Sequence, residues 1–489
     1  MNANDQSSVR NRQLLLAETV TVIVLAALSL WAVRPLLEEW GLLETFRANG
    51  ANFLLTSFPQ MTLRPLHLVI SYMQYALGGG SVIGVGVVAA LLVTVRYIVA
   101  RWAVSPILDG SARWAFATLS TALLIWPGLY FARFSAAQVS AILLMFVLGC
   151  SVRLYARRSL GLQLLSAGAV LILLLIYQAS AVVLAGIPLL AFLIRIENSP
   201  FDVRARVGLA LRIGVPIGLG FAVYGLYAFV ASRLLGGGYE SAIGGVLFSF
   251  AALAEHVRIS YQTAYLGNAL VLPAMLLVLA IGMFLGGWNA VQRSAIRMAV
   301  LTAVVLAILP LCALTYQLDV HLRDPERVLF PVSLGLCLLF LALLVAGEDR
   351  KTAPVITLPA VLMVTALLSQ SAIGAIQVRG YWNLQKDVIF QTIDAVRQTG
   401  AKRFVLRDTT GELGDVYTLL PPHLNLALKW YRVDADVLLC TDDAVNRLHP
   451  LAARYPIPST PRCSEVPQEG RVLLDAVASG SKIVVSVSK

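Results

Sequence analysis

The stretch Arg34–Tyr75, RPLLEEWGLLETFRANGANFLLTSFPQMTLRPLHLVISYMQY, decides how this chain is read. Apolar segments flank it, at about 13–33 and 79–99, each long enough to cross a bilayer as a helix. Between them stand Glu38, Glu39 and Glu44, with Arg34, Arg47 and Arg64, among aromatics and amides. The chain as a whole is 58% hydrophobic and 13% charged, where an ordinary soluble protein carries about 25% charged residues. Charge gathered into one short loop is therefore the feature to explain.

Working outward, apolar runs recur through most of the 489 residues, which makes this an α-helical polytopic membrane protein. Eleven spans are expected, at about 13–33, 79–99, 113–131, 135–152, 160–177, 179–196, 208–232, 269–288, 298–316, 329–347 and 353–375. The turn at Tyr177-Gln178 has almost no polar loop, so one long helix is the alternative there. The first segment is too long for the apolar core of a signal peptide and reads as a retained anchor. With the N-terminus inside, sixteen Arg and Lys residues, Arg96, Arg101 and Arg153 among them, fall on the inner side. Eight fall outside: Arg34, Arg47, Arg64, Arg133, Arg233, Arg258, Arg323 and Arg327. That asymmetry supports an N-in, C-out topology, with outer loops at 34–78, 233–268 and 317–328. It also accounts for the net charge of +11 without nucleic acid. The outer arginines run against the rule, as expected of residues that bind something.

Residues 1–378 form the membrane domain in this reading, and 379–489 a small soluble α/β domain outside. Asn383–Gln398 and His423–Tyr431 have helical periodicity, and Asp442–Arg447 reads as a shorter helix. KRFVLRD (402–408), DADVLLC (434–440), RVLLDAVA (471–478) and KIVVSVSK (482–489) read as buried strands. The domain has no glycine-rich phosphate loop and no nucleophile elbow. Cys440 and Cys463 are expected to form a disulfide, because the domain is placed in an oxidising compartment and the loop between them is short of core residues. Cys150, Cys312 and Cys337 lie in apolar segments and read as core.

Several constellations could carry chemistry. Glu38-Glu39-Trp40 follows the first span, where a carboxylate could act as a general base; the plainer reading is a solvated loop, with Trp40 at the bilayer interface. Arg64-Pro65-Leu66 opens a short helix, since proline suits a first helical position. Leu66, Val69, Ile70, Met73 and Leu77 then form an apolar stripe, with His67, Ser71 and Gln74 opposite, and Gly78-Gly79-Gly80 stops the helix. Arg64 at that N-terminus suits a phosphate, or equally a lipid headgroup contact. In the second outer loop Glu255, His256, Arg258 and Tyr261 share an amphipathic helix. The third loop holds His321, Arg323, Asp324, Glu326 and Arg327, which could bind a lipid phosphate or pair among themselves. Glu18, inside the first span, is an ionisable residue without an evident partner.

With these residues in hand, the chain resembles the GT-C glycosyltransferases, which take sugar from a polyprenyl-phosphate carrier outside the cytoplasm. It is most similar to the bacterial O-antigen glucosyltransferase branch of the serotype-converting kind. The likeness rests on the acidic pair plus tryptophan at Glu38-Glu39-Trp40, the Arg64-Pro65-Leu66 helix start and Tyr177-Gln178 at a tight outer hairpin. The Arg-x-Leu-Phe-Pro-like opening of a late span at Arg327–Pro331 adds to it. It covers roughly residues 10–350, with Glu-Glu where the family more often has Asp-Asp.

The resemblance implies an inverting displacement. Glu39 would be the general base, with Glu38 or Glu44 positioning the acceptor hydroxyl. Arg64, Arg327, Arg323 and Arg258 would hold the donor phosphate. Trp40, Glu44, His67, Tyr177, Gln178, His256 and His321 would contact substrate. It implies a polyprenyl-phosphate sugar donor, an envelope glycan or lipid acceptor such as lipopolysaccharide, and no cofactor beyond the lipid-linked donor, with divalent metal left open. Membrane lipids are the remaining expected partners. The alternatives are a flippase or transporter for a lipid-linked glycan, and a non-catalytic envelope-assembly protein.

Overall fold

The computed structural model describes residues 3–36, 39–122, 135–178, 181–192, 203–236, 337–338, 341, 353–413, 419, 421–442, 460–480 and 482–488. The chain opens with α1 (Ala3–Ala32), followed by α2 (Glu39–Asn49), α3 (Phe53–Ser57) and α4 (Pro65–Leu77). The bundle continues with α5 (Val82–Val104), α6 (Gly110–Ala122), α7 (Ser135–Ala156), α8 (Leu160–Ile176), α9 (Ala181–Gly186) and α10 (Val203–Leu235). Then come α11 (Ala353–Thr399), β1 (Arg403–Asp408), α12 (Pro421–Trp430), β2 (Asp436–Thr441), β3 (Val472–Ser479) and β4 (Lys482–Val487).

Four helices among the described residues are long and apolar enough to cross a membrane: Asn11–Ala32, Val82–Val104, Ser135–Ala156 and Arg204–Leu235. Leu160–Ile176 is a shorter apolar helix. The helix expected at 179–196 is instead α9 followed by a 3-10 stretch, Ile187–Phe192. The spans expected at 269–288 and 298–316 lie outside the described residues, as do most of 329–347 and the second half of 113–131.

Local chemistry sets the helix ends. Ser81 caps α5 by accepting from the Gly84 N–H, and Ser159 caps α8 by accepting from Leu162. Pro65 opens α4, and the turn after it needs positive φ at Gly79 (61°) and Gly80 (57°), which glycine adopts without strain. α4 and α5 then approach so closely that a Cβ on Gly84 would sit 1.8 Å from the Gly78 carbonyl oxygen. Tyr177 takes an extended conformation directly after α8, so the Tyr177-Gln178 position is a true break rather than the middle of one long helix.

The described helices alternate in direction. The end of α1, α4 and the starts of α5 and α7 gather at one end of the bundle, with Gly86 of α5 packed on the Leu30 and Val33 carbonyls and Ser135 donating to Gln74. At the far end Arg101 donates to Glu18 at 2.7 Å, and Arg153 donates to the Trp102 carbonyl while lying 3.9 Å from that indole's centre. Glu18 therefore has its partner, a structural ion pair between α1 and α5. Arg96, read from sequence as an inner-loop charge, is instead fully buried within α5, where it donates to Gln138 and to the Thr121 carbonyl. It binds α5 to α6 and α7.

The helix expected at Asn383–Gln398 is the second half of α11, which runs unbroken for 47 residues from the bundle into the C-terminal unit. All four expected strands form. Their order is β2-β1-β3-β4, with β1 parallel to both neighbours and β4 antiparallel to β3. Phe404, Val405 and Leu406 of β1 are all buried, the continuous apolar run of a strand covered on both faces. Phe404 and Leu406 join the main core with Leu439, Leu474 and Ile483. Val405 faces the other way, against Cys440, Cys463 and Val466. Cys440 and Cys463 are disulfide-bonded, as expected.

Both sheet edges are closed by side-chain amides. Asn425 of α12 exchanges two hydrogen bonds with the backbone of Val437 in edge strand β2, at 3.0 and 2.9 Å. Gln391 of α11 donates to the Ile483 carbonyl and accepts from the Val485 N–H in edge strand β4, both at 2.8 Å. These amides stand where a further strand would pair.

Candidate functional site

The stretch Thr62-Leu63-Arg64, just before α4, is held by its backbone carbonyls and by the Thr62 hydroxyl. Tyr227 donates to the Thr62 carbonyl at 2.7 Å, and Tyr224 to the Leu63 carbonyl at 3.3 Å. The Thr62 hydroxyl donates to the Gly236 carbonyl at 3.0 Å. Gln178 reaches the same place: its amide N–H groups donate to the Leu63 carbonyl and to the Tyr224 hydroxyl. α10 thus sets the start of α4 through Tyr224 and Tyr227, one turn apart on one helix face.

Arg64 is thereby brought over Tyr177, its guanidinium carbon 5.8 Å from the ring centre. His67, one turn on, lies beside the same ring at 6.4 Å, with Nδ1 3.3 Å from the Ile176 carbonyl. So Arg64, His67, Tyr177 and Gln178, taken from two separate stretches of sequence, form one constellation. It lies at the bundle end from which α11 enters the C-terminal unit. A cation, an imidazole and a phenol together can hold an oxyanion such as a phosphate, while Gln178, with both amide N–H groups engaged, holds the frame around them.

The two faces of α4 are disposed as lipid exposure requires. Ser71 and Gln74 are buried, Gln74 accepting from Ser135 at 2.7 Å, while Met73 (47%) and Leu77 (68%) are exposed. The polar stripe faces protein and the apolar stripe faces outward.

The acidic loop is more deeply built in than its composition suggests. Glu39 opens α2 and is 1% exposed, and its Oε2 accepts the Leu36 N–H at 2.9 Å. Trp40, expected at the bilayer interface or on substrate, has no exposed surface at all. Its Nε1–H donates to Gln385 at 2.9 Å, and its ring lies 6.0 Å from both Trp382 and Tyr431. That corrects the interface reading: Trp40 fastens α2 to α11 and to Tyr431, just after α12. Glu44 pairs with Arg47 at 2.5 Å. Arg47 also donates to the Trp430 and Lys429 carbonyls at 2.6 and 2.9 Å, capping the C-terminus of α12 where a cation is favoured. Glu44 is in this way held in an ion pair, which its expected substrate contact would have to share. Phe46 and Phe53 close the loop against Tyr72 and Tyr75 of α4.

Glu38, His256, Arg258, His321, Arg323 and Arg327 lie outside the described residues. Tyr224 and Tyr227 are the constellation's members that the sequence did not single out. Their only signal was a tyrosine pair at helical spacing near the end of a span.

With that geometry in place, comparisons with known proteins give one solved structure. The chain is similar to ArnT from Cupriavidus metallidurans, in its crystal structure bound to undecaprenyl phosphate. The superposition has a TM-score of 0.46 at 13% identity and covers 97% of each chain. A likeness of this degree assigns no chemistry. No family model and no curated protein matches the chain.

Proposed function

We propose that this protein is a membrane glycosyltransferase of GT-C type. In this reading it moves a sugar from a polyprenyl-phosphate donor to an envelope glycan or lipid, by inverting displacement at the outer face of a bacterial inner membrane. The observation that carries the reading is the convergence of Arg64, His67, Tyr177 and Gln178 at one bundle end. Arg64 and His67 start a helix whose outward face is apolar. A lipid-linked phosphate arriving along the membrane surface would meet the guanidinium there, and its apolar chain would remain in lipid. The disulfide supports an outer location for the C-terminal unit, since disulfides persist in oxidising compartments.

The general base is assigned to the Glu38-Glu39 pair. The buried Glu39 carboxylate already accepts the Leu36 N–H. A base must reach the acceptor hydroxyl within hydrogen-bond distance, so in this reading Glu38 meets the acceptor and Glu39 shapes the loop. Glu39→Gln preserves an oxygen for Leu36 and should stay within a few-fold of wild type. Glu38→Gln should lose about 10²–10⁴-fold in turnover with donor binding nearly unchanged. The assay is purified protein with polyprenyl-phosphate sugar and an acceptor glycan. Wild-type rates in both variants would remove the enzymatic reading; the reverse ranking would return the base to Glu39.

The transporter alternative would use charges along a path through the bundle. The buried charges described there are held in place, Arg96 by Gln138 and Thr121 and Glu18 by Arg101, which favours the enzyme.

A further inference from the structure

Arg34 and Arg379 converge on the same helix end. Arg34 donates to the Leu30 and Val33 carbonyls at 2.7 Å each, and Arg379 donates to the Trp31 carbonyl at 3.2 Å. These carbonyls all belong to the last turn of α1 and the residue after it, where the helix dipole favours positive charge. The approach of Arg34 is possible because residue 86 is glycine: a Cβ there would sit 2.9 Å from the guanidinium and 2.8 Å from the Leu30 oxygen. The two cations are close enough that Arg379 adds to burial in disfavouring the protonated form of Arg34.

Carbonyl capping uses one terminal nitrogen of each guanidinium and leaves its other N–H groups over. Among the described residues no carboxylate forms an ion pair with either arginine. Two like charges at one helix end, with no carboxylate among the described residues in an ion pair with either, are stabilised by an anion. The surroundings state which kind. Arg379 lies over the ring of Trp31, 5.8 Å from its centre, and Trp31 is itself exposed. Indole rings concentrate at bilayer interfaces. Within two helical turns along the chain of Arg34, of Gly86 or of Arg379, the residues Leu30 on α1, Ile83 and Val87 on α5, and Ile373 and Ile376 on α11 are all exposed. Apolar surface lies on the membrane side, and paired guanidinium groups stand at its edge.

We propose that Arg34 and Arg379, with Trp31, bind the phosphate headgroup of an anionic glycerophospholipid whose acyl chains lie on α1, α5 and α11. The site is separate from the Arg64 constellation, and it rests on the membrane placement alone, not on the sugar-transfer reading. It gives a reason for Arg34 to stand on the outer side against the charge asymmetry of the chain. The bound lipid would fix α1 against α11 just below the acidic loop.

The test uses the full chain in nanodiscs and tryptophan quenching by brominated lipids. Brominated phosphatidylglycerol is compared with brominated phosphatidylcholine, and subtraction of a Trp31→Phe variant isolates Trp31. Wild type should show stronger Trp31 quenching by the anionic lipid. Arg379→Gln should lower that preference roughly fivefold, the equivalent of one arginine near a charged surface. Arg379→Lys, which keeps the charge, should retain most of it; Arg34→Lys does the same if the Gln variant fails to fold. Equal quenching by the two lipids, or an undiminished preference in Arg379→Gln, would overturn the proposal. So would displacement of phosphatidylglycerol by polyprenyl phosphate at equal mole fraction, which would assign the pair to the carrier lipid.

Discussion

The indole N–H of Trp40 donates to the side-chain oxygen of Gln385 at 2.9 Å, across 345 positions of sequence. Both groups are fully buried. This bond ties the loop after the first span to the helix that leaves the bundle for the C-terminal unit. Arg47 makes a second tie, at the end of α12. The C-terminal unit is thus braced on the acidic loop, and whatever moves α12 moves the start of α2.

Trp40→Phe keeps most of the ring contact with Trp382 and Tyr431 but leaves the Gln385 oxygen buried without its donor. An orphaned buried acceptor costs about 1–3 kcal/mol. Thermal unfolding of the detergent-purified variant should show that loss. Trp40→Phe with Gln385→Leu should recover part of it, because both partners then become apolar. Additive losses would mean that the bond contributes nothing through pairing.

The disulfide closes a segment of 23 residues beside the second core of the sheet. A loop of this length contributes about 2–4 kcal/mol in the chain-entropy account. Reduction, or Cys440→Ser with Cys463→Ser, should loosen the C-terminal unit while the helical bundle keeps its structure. Hydrogen exchange should show the difference in β1 and β2, which lie against Cys440. Unchanged exchange there would set the contribution near zero.

Acid should weaken the same unit through Asp475. Its carboxylate is held below the usual range, first by the hydrogen bond from Arg407, at 2.6 Å. A group whose folded pKa is lowered contributes stability above its unfolded pKa of about 3.9 and loses it as pH falls through the folded value. Arg407 is about one-third exposed, so the contribution is under about 1 kcal/mol. Asp408 works the other way. Burial raises its pKa against hydrogen bonds from Thr410 and Leu413, so its contribution is present below the unfolded value and fades as pH rises. The stability difference between wild type and Asp475→Asn should therefore shrink as pH drops below about 4. A difference that stays constant from neutral pH down would rule out the ion pair as its source.

How far the sequence was legible follows from where each signal is stored. The four strands were readable because each is a short apolar run between turns, and Pro65 with Gly78-Gly79-Gly80 marked α4 at both ends. The faces of α4 were visible too, but not which one faces protein: a bilayer reverses the usual answer, and only packing shows Ser71 and Gln74 inside. Trp40 reads as an interface residue because its partners lie hundreds of positions away. Arg96 reads as a loop charge because sidedness rules work by distance from span ends, whereas its burial depends on Gln138 and Thr121. α11 looked like two elements because its composition changes from apolar to mixed while its backbone does not break. Arg64-Pro65-Leu66 and Tyr177-Gln178 each stand out in the sequence, but their meeting does not, since Tyr224 and Tyr227 bring it about from a span that reads as ordinary.

That meeting makes the sharpest prediction. Arg64 is positioned by two neighbours that do not touch its charge, Tyr224 and Tyr227, which hold the preceding carbonyls, and by the Tyr177 ring beneath the guanidinium. Arg64→Lys keeps the charge and loses the planar fork that can grip two phosphate oxygens and lie against a ring. It should weaken the use of a polyprenyl-phosphate donor while folding stays intact. Tyr227→Phe removes the bond to the Thr62 carbonyl but no charge, so it should also weaken donor use, by a smaller factor, through displacement of the start of α4. Donor titrations in the transfer assay separate the two, with Arg64→Ala as the lower bound. A constellation that holds phosphate requires the order wild type, Tyr227→Phe, Arg64→Lys, Arg64→Ala in falling donor affinity. Equal affinity in Arg64→Ala and wild type would leave Arg64 a membrane-surface anchor and move the donor phosphate elsewhere on the outer face.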